Sequence, residues 1–184
     1  MGEIKSFTPV KLICGLIFSD DLIRERAQNI LAEKFGPSDF QSQSFLFNFS
    51  HYYEQDMGQN LKRCFMSFET LIDPQDLSSI KHQTNKIEQN FKLLFPGLNR
   101  PVNLDPGYLK ASALIMATTK DFAHRIPLTD GIYAHLELLL TKEKVRTLNW
   151  TYPDFYQSAY HNFFLQVRKI YLDQLKRLRA KQEL

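Results

Sequence analysis

The stretch Lys11 to Phe18, KLICGLIF, followed at once by Ser19-Asp20-Asp21-Leu22, sets the fold class. It is apolar except for Lys11 and Gly15. That is strand length, and far short of the ~20 apolar residues a membrane-spanning helix requires. Ser19 is placed to cap a helix, and Asp20 and Asp21 suit the positive end of the helix dipole. Leu22, Ile23, Ala27, Ile30 and Leu31 then recur at helical spacing until Gly36-Pro37 stops the run. The chain therefore opens as a buried strand followed by an amphipathic helix.

Working outward, Gln41 to Tyr53 alternates around Phe45, Phe47 and Phe49 and predicts a second strand. Gln55 to Gln59 reads as a turn, and Leu61 to Leu71 as the returning strand. Asp73-Pro74 opens the next helix, with a capping carboxylate and a proline whose missing N–H costs nothing there. Leu77, Ile80, Thr84, Ile87, Phe91 and Leu94 fill its apolar face, and Pro96-Gly97 closes it. Lys81, Asn85 and Glu88 form a polar stripe on the same helix, which reads as a solvated face. A short strand at Pro101 to Leu104 completes the order β-α-β-β-α-β, that of a ferredoxin-like unit. Tyr108 to Ala117 fits helix or strand. Asp130-Gly131 predicts a hairpin, and Asp154 to Lys181 a long amphipathic helix with Tyr160, Phe164, Val167, Tyr171, Leu175 and Leu178 as its stripe. The expected fold is α+β, in a single domain over residues 1–184. It is a ferredoxin-like βαββαβ sheet extended by a β-hairpin and covered by a long C-terminal helix.

Composition narrows the function classes. With 184 residues, 43% of them apolar, and only 7 Gly and 8 Pro, the chain is neither disordered nor collagen-like. The N-terminal residues lack the layout of a signal peptide, and Cys14 and Cys64 read as buried thiols of a reducing compartment, so a cytoplasmic protein is expected. The formal charge of +3 is concentrated at one end. From His161 onward six basic residues face Asp173 and Glu183, which leaves the rest of the chain at −1. The basic character belongs to a tail and not to a nucleic-acid-binding face.

The hairpin carries the densest chemistry. If Asp130-Gly131 is a two-residue turn, Thr129 faces Ile132, and His124 lies opposite Glu137, Ile126 opposite His135 and Leu128 opposite Tyr133. His124, His135, Glu137 and Tyr133 then share one face, with Ile132, Ala134, Leu136, Leu138 and Leu140 on the other. Two imidazoles and a carboxylate suit a divalent metal or an acid–base set, and they equally suit the solvated side of an antiparallel sheet. Upstream, Asn103 to Tyr108 (NLDPGY) reads as a tight turn. Thr118-Thr119-Lys120 offers hydroxyls and an ammonium to a phosphate. The lone Trp150, within Trp150 to Asp154, reads first as a packing anchor.

Several chemistries are excluded by pattern. The chain has neither a G-x-x-x-x-G-K-[ST] loop nor a G-x-G-x-x-G turn. It lacks a G-x-S-x-G elbow, and neither cysteine has a neighbouring histidine to activate it. Phe65 and Phe68 have opposite parity and cannot form the stacking face of an RNA-recognition sheet.

Five ordered segments carry a family resemblance: Asn103 to Leu109, Ala117 to Asp121, His124-Arg125-Ile126, Asp130 to Ala134 and Trp150 to Asp154. Together they resemble a bacterial family catalogued as domain of unknown function 4416, and the likeness spans essentially the whole chain. Some members carry a GTP-binding label, for which this chain has no phosphate loop. An acidic residue often follows the Gly-Ile-Tyr-Ala segment in that family, where this chain has His135. The leading expectation is a binding protein or enzyme for a small anionic ligand, such as a nucleotide or phosphorylated metabolite, with no cofactor or metal assigned. Asp105, Thr118, Thr119, Lys120 and Arg125 are the expected ligand contacts, Lys120 and Arg125 pairing with the anion. His124 is expected to donate a hydrogen bond or transfer a proton, with Glu137 orienting it. If Arg125 instead points into the core, it forms an internal ion pair. A second expectation, from another class, is a non-catalytic module that binds RNA or a protein partner through the basic C-terminal helix. A third is a structural subunit whose polar hairpin face is an interface.

Overall fold

The computed structural model describes residues 2–49 and 53–182. Strand β1 (Val10–Phe18) is buried along its whole length and is followed by α1 (Asp21–Phe35). The short strands β2 (Ser38–Gln41) and β3 (Phe45–Leu46), the single-turn helix α2 (Glu54–Met57) and the long strand β4 (Lys62–Ile72) come next. Helix α3 (Leu77–Leu94) leads to β5 (Val102–Lys110), β6 (Ala113–Thr118), β7 (Arg125–Pro127), β8 (Tyr133–Leu140) and β9 (Val145–Arg146). Helix α4 (Ser158–Gln182) ends the described chain.

Among the described residues these strands form one nine-stranded sheet, ordered β2-β4-β1-β5-β6-β8-β7, with β3 on β4 and β9 on β8. Every pairing is antiparallel. The α+β class holds, but the sheet is larger than a four-stranded ferredoxin-like unit. Alternation along β1 explains the layering. Leu12, Cys14, Leu16 and Phe18 pack with Ile23, Ala27 and Leu31 of α1 and with Ile80 and Phe91 of α3. Ile13 points the other way, into a cluster with Phe65, Leu109, Leu138 and the Tyr160, Phe164 and Val167 stripe of α4. Phe65 anchors that side, with ring centroids 4.7 Å from Tyr160 and 5.2 Å from Phe164, both edge-on. Such pairs are each worth about 0.5–1.5 kcal/mol beyond simple burial. Lys11, fully buried, ties the layers together by pairing with Asp39 and donating to Gln174 Oε1 of α4 at 2.8 Å.

Several local expectations are corrected. The cap of α1 is Asp20, whose carboxylate accepts from Leu22 N at 2.7 Å, and not Ser19. Gln41 to Tyr53 is not one strand: pairing on β4 is confined to two short pieces, and residues 50–52 of that expected strand lie outside the described residues. The expected turn at Gln55 to Gln59 is largely the single-turn helix α2. Leu94 is 51% exposed and leaves the apolar face of α3. The C-terminal α-helix begins at Ser158, because Pro153–Tyr156 forms a separate 3₁₀ turn in which Asp154 is buried.

The largest revision concerns Asn103 to Tyr108. These residues form no tight turn but the middle of β5, paired to β1 along its length, with Asp105 opposite Gly15 and Gly107 opposite Ile13. Two buried neighbouring strands override the local preference of Asp-Pro-Gly for a turn. The ladder to β6 covers only Gly107 to Lys110. Pro106 has no N–H to extend it. From that point toward Asn103, β5 and β6 no longer pair.

Candidate functional site

A cavity of about 500 Å³ lies where β5 and β6 part. Asp105 of β5, Thr118 at the end of β6, and Thr119 and Lys120 just beyond it line the space together, so four of the expected ligand contacts share one wall system. The Thr118 hydroxyl accepts from Lys120 N at 3.1 Å, which fixes that corner. Phe47, Tyr53, Tyr152 and Phe155 supply aromatic walls.

The floor is an ionic network that the residue pattern did not reveal. Arg63 of β4, 6% exposed at its side chain, donates from Nη1 to Asp154 Oδ2 at 2.6 Å and from Nη2 to Asp105 Oδ2 at 3.2 Å. Its guanidinium lies over the rings of Phe155 (4.9 Å) and Phe65 (5.1 Å), so its flat faces are covered and its edges point at carboxylates. Asn103 Nδ2 donates to Asp105 Oδ2 at 2.8 Å, and Arg100 pairs with both Asn103 Oδ1 and Glu88 Oε2, the latter at 2.8 Å. Glu88 also accepts from Leu104 N at 2.7 Å, and Lys81 Nζ donates to the Leu104 carbonyl at 2.8 Å. The stripe Lys81, Asn85, Glu88 is thus no solvated face at either end: Lys81 is 6% exposed, and the Glu88 side chain 11%. Burial raises the carboxyl pKa of Glu88 and Asp154, while Lys81 and Arg100 on one, and Arg63 on the other, oppose that rise. For Arg63, burial works against the charge, but Asp154 and Asp105 outweigh it and hold the guanidinium firmly ionised.

The three remaining expected site residues lie beside the cavity and do not line it. The Asp130-Gly131 turn is present, with φ of 54° and 74° and Ile132 N donating to the Thr129 carbonyl. The next bond, however, runs from Leu128 N to the Ile132 carbonyl, so the first strand carries one extra residue. The register slips accordingly, and Arg125, not Ile126, faces His135. His124 is not opposite Glu137. It reaches His135 instead, Nε2 lying 3.1 Å from His135 Nδ1, and stacks on Trp150 at 4.9 Å with planes 9° apart.

A second irregularity, between the pairs Leu114–Leu138 and Ile115–Leu136, lets Glu137 sit buried beside Leu138. His135 and Glu137 are therefore sealed at 1% and 0% exposure, not set on a solvated face, and only His135 reaches the cavity wall. Arg125 Nε donates to His135 Nδ1 at 3.3 Å. A guanidinium can only donate, so the neutral His135 ring carries its proton on Nε2, facing Glu137 Oε2 at 2.8 Å, a contact too bent for a good hydrogen bond. Among the described residues Arg125 forms no carboxylate pair. It donates to the Lys120 carbonyl at 2.7 Å and to the Tyr152 hydroxyl at 2.8 Å.

Glu137 pins the segment Trp150 to Asp154. Its carboxylate accepts from Tyr152 N at 2.8 Å, and its carbonyl accepts from the Thr151 hydroxyl at 2.6 Å. Trp150 Nε1 donates to the Leu136 carbonyl, so this tryptophan is both a packing anchor and the platform under His124. The five segments singled out in the sequence thus converge on one end of the sheet. A family model described as Domain of unknown function (DUF4416) matches residues 8–171. The chain belongs to that family. No curated protein and no solved structure matches it. The family match embraces all five segments and the cavity-lining residues Arg63, Lys81 and Arg100 alike. Among the described residues there is no group of three or more potential ligands that could hold a metal ion, and no helix long and apolar enough to cross a membrane.

Sequence reasoning missed Arg63, Lys81, Arg100 and the placement of His135. The one available signal was the basic residue Arg63 inside an otherwise buried strand pattern. A charge at such a position must find partners.

Proposed function

We propose that the cavity between β5 and β6 binds a small anionic ligand, such as a nucleotide or a phosphorylated metabolite. One observation carries this reading: four cationic side chains, Arg63, Lys81, Arg100 and Lys120, line the cavity, against the three carboxylates of Asp105, Asp154 and the Arg100 partner Glu88. In a space walled by aromatic rings, a surplus of positive charge favours an anion far more than it would in water. Thr118 and Thr119 add hydroxyls, and Arg125 braces the Lys120 backbone from behind. His124 and Glu137 act through His135 in this reading and so position the wall and do not touch the ligand. The strands β2, β4, β1 and β5 with α1 and α3 are read as a ferredoxin-like unit to which β6–β9 add the second wall of the site. Free, buried Cys14 and Cys64 support a cytoplasmic setting.

The test is a thermal-shift screen with nucleoside phosphates, sugar phosphates and non-phosphorylated carboxylates. A ligand at 100 times its Kd adds about 2.7 kcal/mol to stability and raises the melting point by several degrees. The shift should shrink in Thr118→Val and Lys120→Ala. An unchanged melting point across all anions would reject the pocket.

A second reading rests on the exposed Lys176, Arg177, Arg179 and Lys181 at the end of α4. It makes that end a contact for RNA or an acidic protein partner. Binding that disappears when residues 176–184 are removed, and that weakens steeply with salt for RNA, would favour it.

A further inference from the structure

We infer that Lys81 is the counter-ion for a phosphoryl group of the ligand, an inference that rests on the pocket reading above. The other buried cations of the cavity are already neutralised: Arg63 by Asp154 and Asp105, Arg100 by Glu88. Lys81 has no such contact: it is 6% exposed, its Nζ donates to one backbone carbonyl, and among the described residues no carboxylate oxygen lies within salt-bridge distance, although its charge acts on the more distant Glu88. An ammonium has three hydrogens to give, and the Leu104 carbonyl takes one. A buried ammonium without a carboxylate in direct contact gains from an anion that can meet its remaining hydrogens.

The surroundings say what kind of anion. Asn103, 2% exposed, spends one amide hydrogen on Asp105 and has a second, and Arg63 Nε is buried without any acceptor. Lys81, Asn103 and Arg63 all border the same cavity, and Asn103 adjoins Leu104, to which Lys81 is tied. The floor therefore keeps unspent donors beside carboxylates whose charge Arg63 and Arg100 already take up. A phosphoryl group is its chemical complement, since its terminal oxygens only accept and number more than the two of a carboxylate.

The experiment titrates inorganic phosphate, and acetate as the carboxylate arm, into the full chain and into Lys81→Met, following the melting point and phosphorus NMR line width. Phosphate should stabilise the native chain more than acetate at equal concentration. Lys81→Met should bind phosphate about 10- to 100-fold more weakly, the loss expected for a hydrogen bond to a charged group. Without phosphate, the melting point of each variant supplies the baseline against which its phosphate response is read. Lys81→Gln, which keeps a donor for the Leu104 carbonyl, should show the same loss of phosphate binding even if the methionine variant folds poorly. Equal phosphate affinity in the native chain and both variants would overturn the role of Lys81 and leave the anionic pocket standing. Preference for acetate would overturn the phosphoryl assignment alone. No response to any anion, here or in the wider screen, would overturn both.

Discussion

His135 Nε2 lies 2.8 Å from Glu137 Oε2 with both side chains closed to solvent, and the same carboxylate holds Tyr152 N. A carboxylate so enclosed survives only through its partners, and here those partners join β8 to the loop that forms one wall of the cavity. Glu137→Leu should therefore cost about 1–3 kcal/mol, the penalty of leaving Tyr152 N and the enclosed His135 Nε2 without an acceptor. Glu137→Gln should cost less, because an amide oxygen can still accept from Tyr152 N. Urea denaturation measures both. A leucine variant within 1 kcal/mol of the native chain would show that the loop holds itself.

Arg63 makes a comparable test on the opposite wall. Its ion pairs with Asp154 and Asp105 bridge β4 to the segment before α4 and to β5. Arg63→Met should destabilise by about 3–5 kcal/mol by stranding two carboxylates, and Asp154→Asn should be destabilising in turn. The double variant should lose less than the sum of the two, with a coupling energy of about 0.5–3 kcal/mol in a double-mutant cycle. Strict additivity would mean that the short contact contributes no net interaction.

These two networks also mark where the amino-acid pattern ceased to be informative. Lys11 to Phe18 was legible because a continuous apolar run between turn signals has few homes other than a buried strand. The hairpin turn was legible because Asp130 and Gly131 both tolerate positive φ, and both adopt it. Its register was not, since the extra residue near Leu128 is an event of backbone pairing that leaves no trace in side-chain type. Asp105-Pro106-Gly107 carries the local chemistry of a turn, and only the presence of β1 alongside makes it a strand. His135 and Glu137 are polar, so alternation assigned them to water. The bulge beside Glu137 and the loop from Trp150 cover them, and both are tertiary features. Of the site, the Thr118 to Lys120 corner and Asp105 could be read from composition alone, because hydrogen-bonding residues cluster there. Arg63, Lys81 and Arg100 come from three separate elements, and only folding brings them together.

His124 gives the chain a pH dependence with a defined sign. Partial burial, and then the neighbouring His135 and Arg125, hold its pKa below the ordinary value of 6.5. The folded state thus favours the neutral ring, while the unfolded chain takes up a proton first as pH falls. Its contribution to stability is complete above pH 6.5 and is lost progressively as the pH drops from there to the folded-state value. His124→Gln keeps a donor for His135 without the titration. The difference in melting point between this variant and the native chain should shift in favour of the variant as pH is lowered through 6.5. A difference that stays constant across that range would contradict the assignment.

Gly107 decides how closely β5 and β6 approach just before they part. A methyl group there would come within 2.5 Å of the Ile115 carbonyl oxygen and 2.6 Å of Met116 Sδ. The sulfur ends a flexible side chain and can swing aside. The carbonyl belongs to the facing strand and cannot move unless β6 moves with it. Gly107→Ala should therefore cost about 1–3 kcal/mol, the usual penalty of overpacking a filled interior. Shortening the methionine should not restore what the backbone contact removes, so Gly107→Ala with Met116→Ala should remain at least as unstable as Gly107→Ala alone. Because Gly107 begins the ladder whose end opens the cavity, the displaced β6 should also carry Thr118 and Lys120 out of place and weaken anion-dependent stabilisation. Full rescue by Met116→Ala would instead place the clash on the sulfur and leave the strand spacing free to adjust.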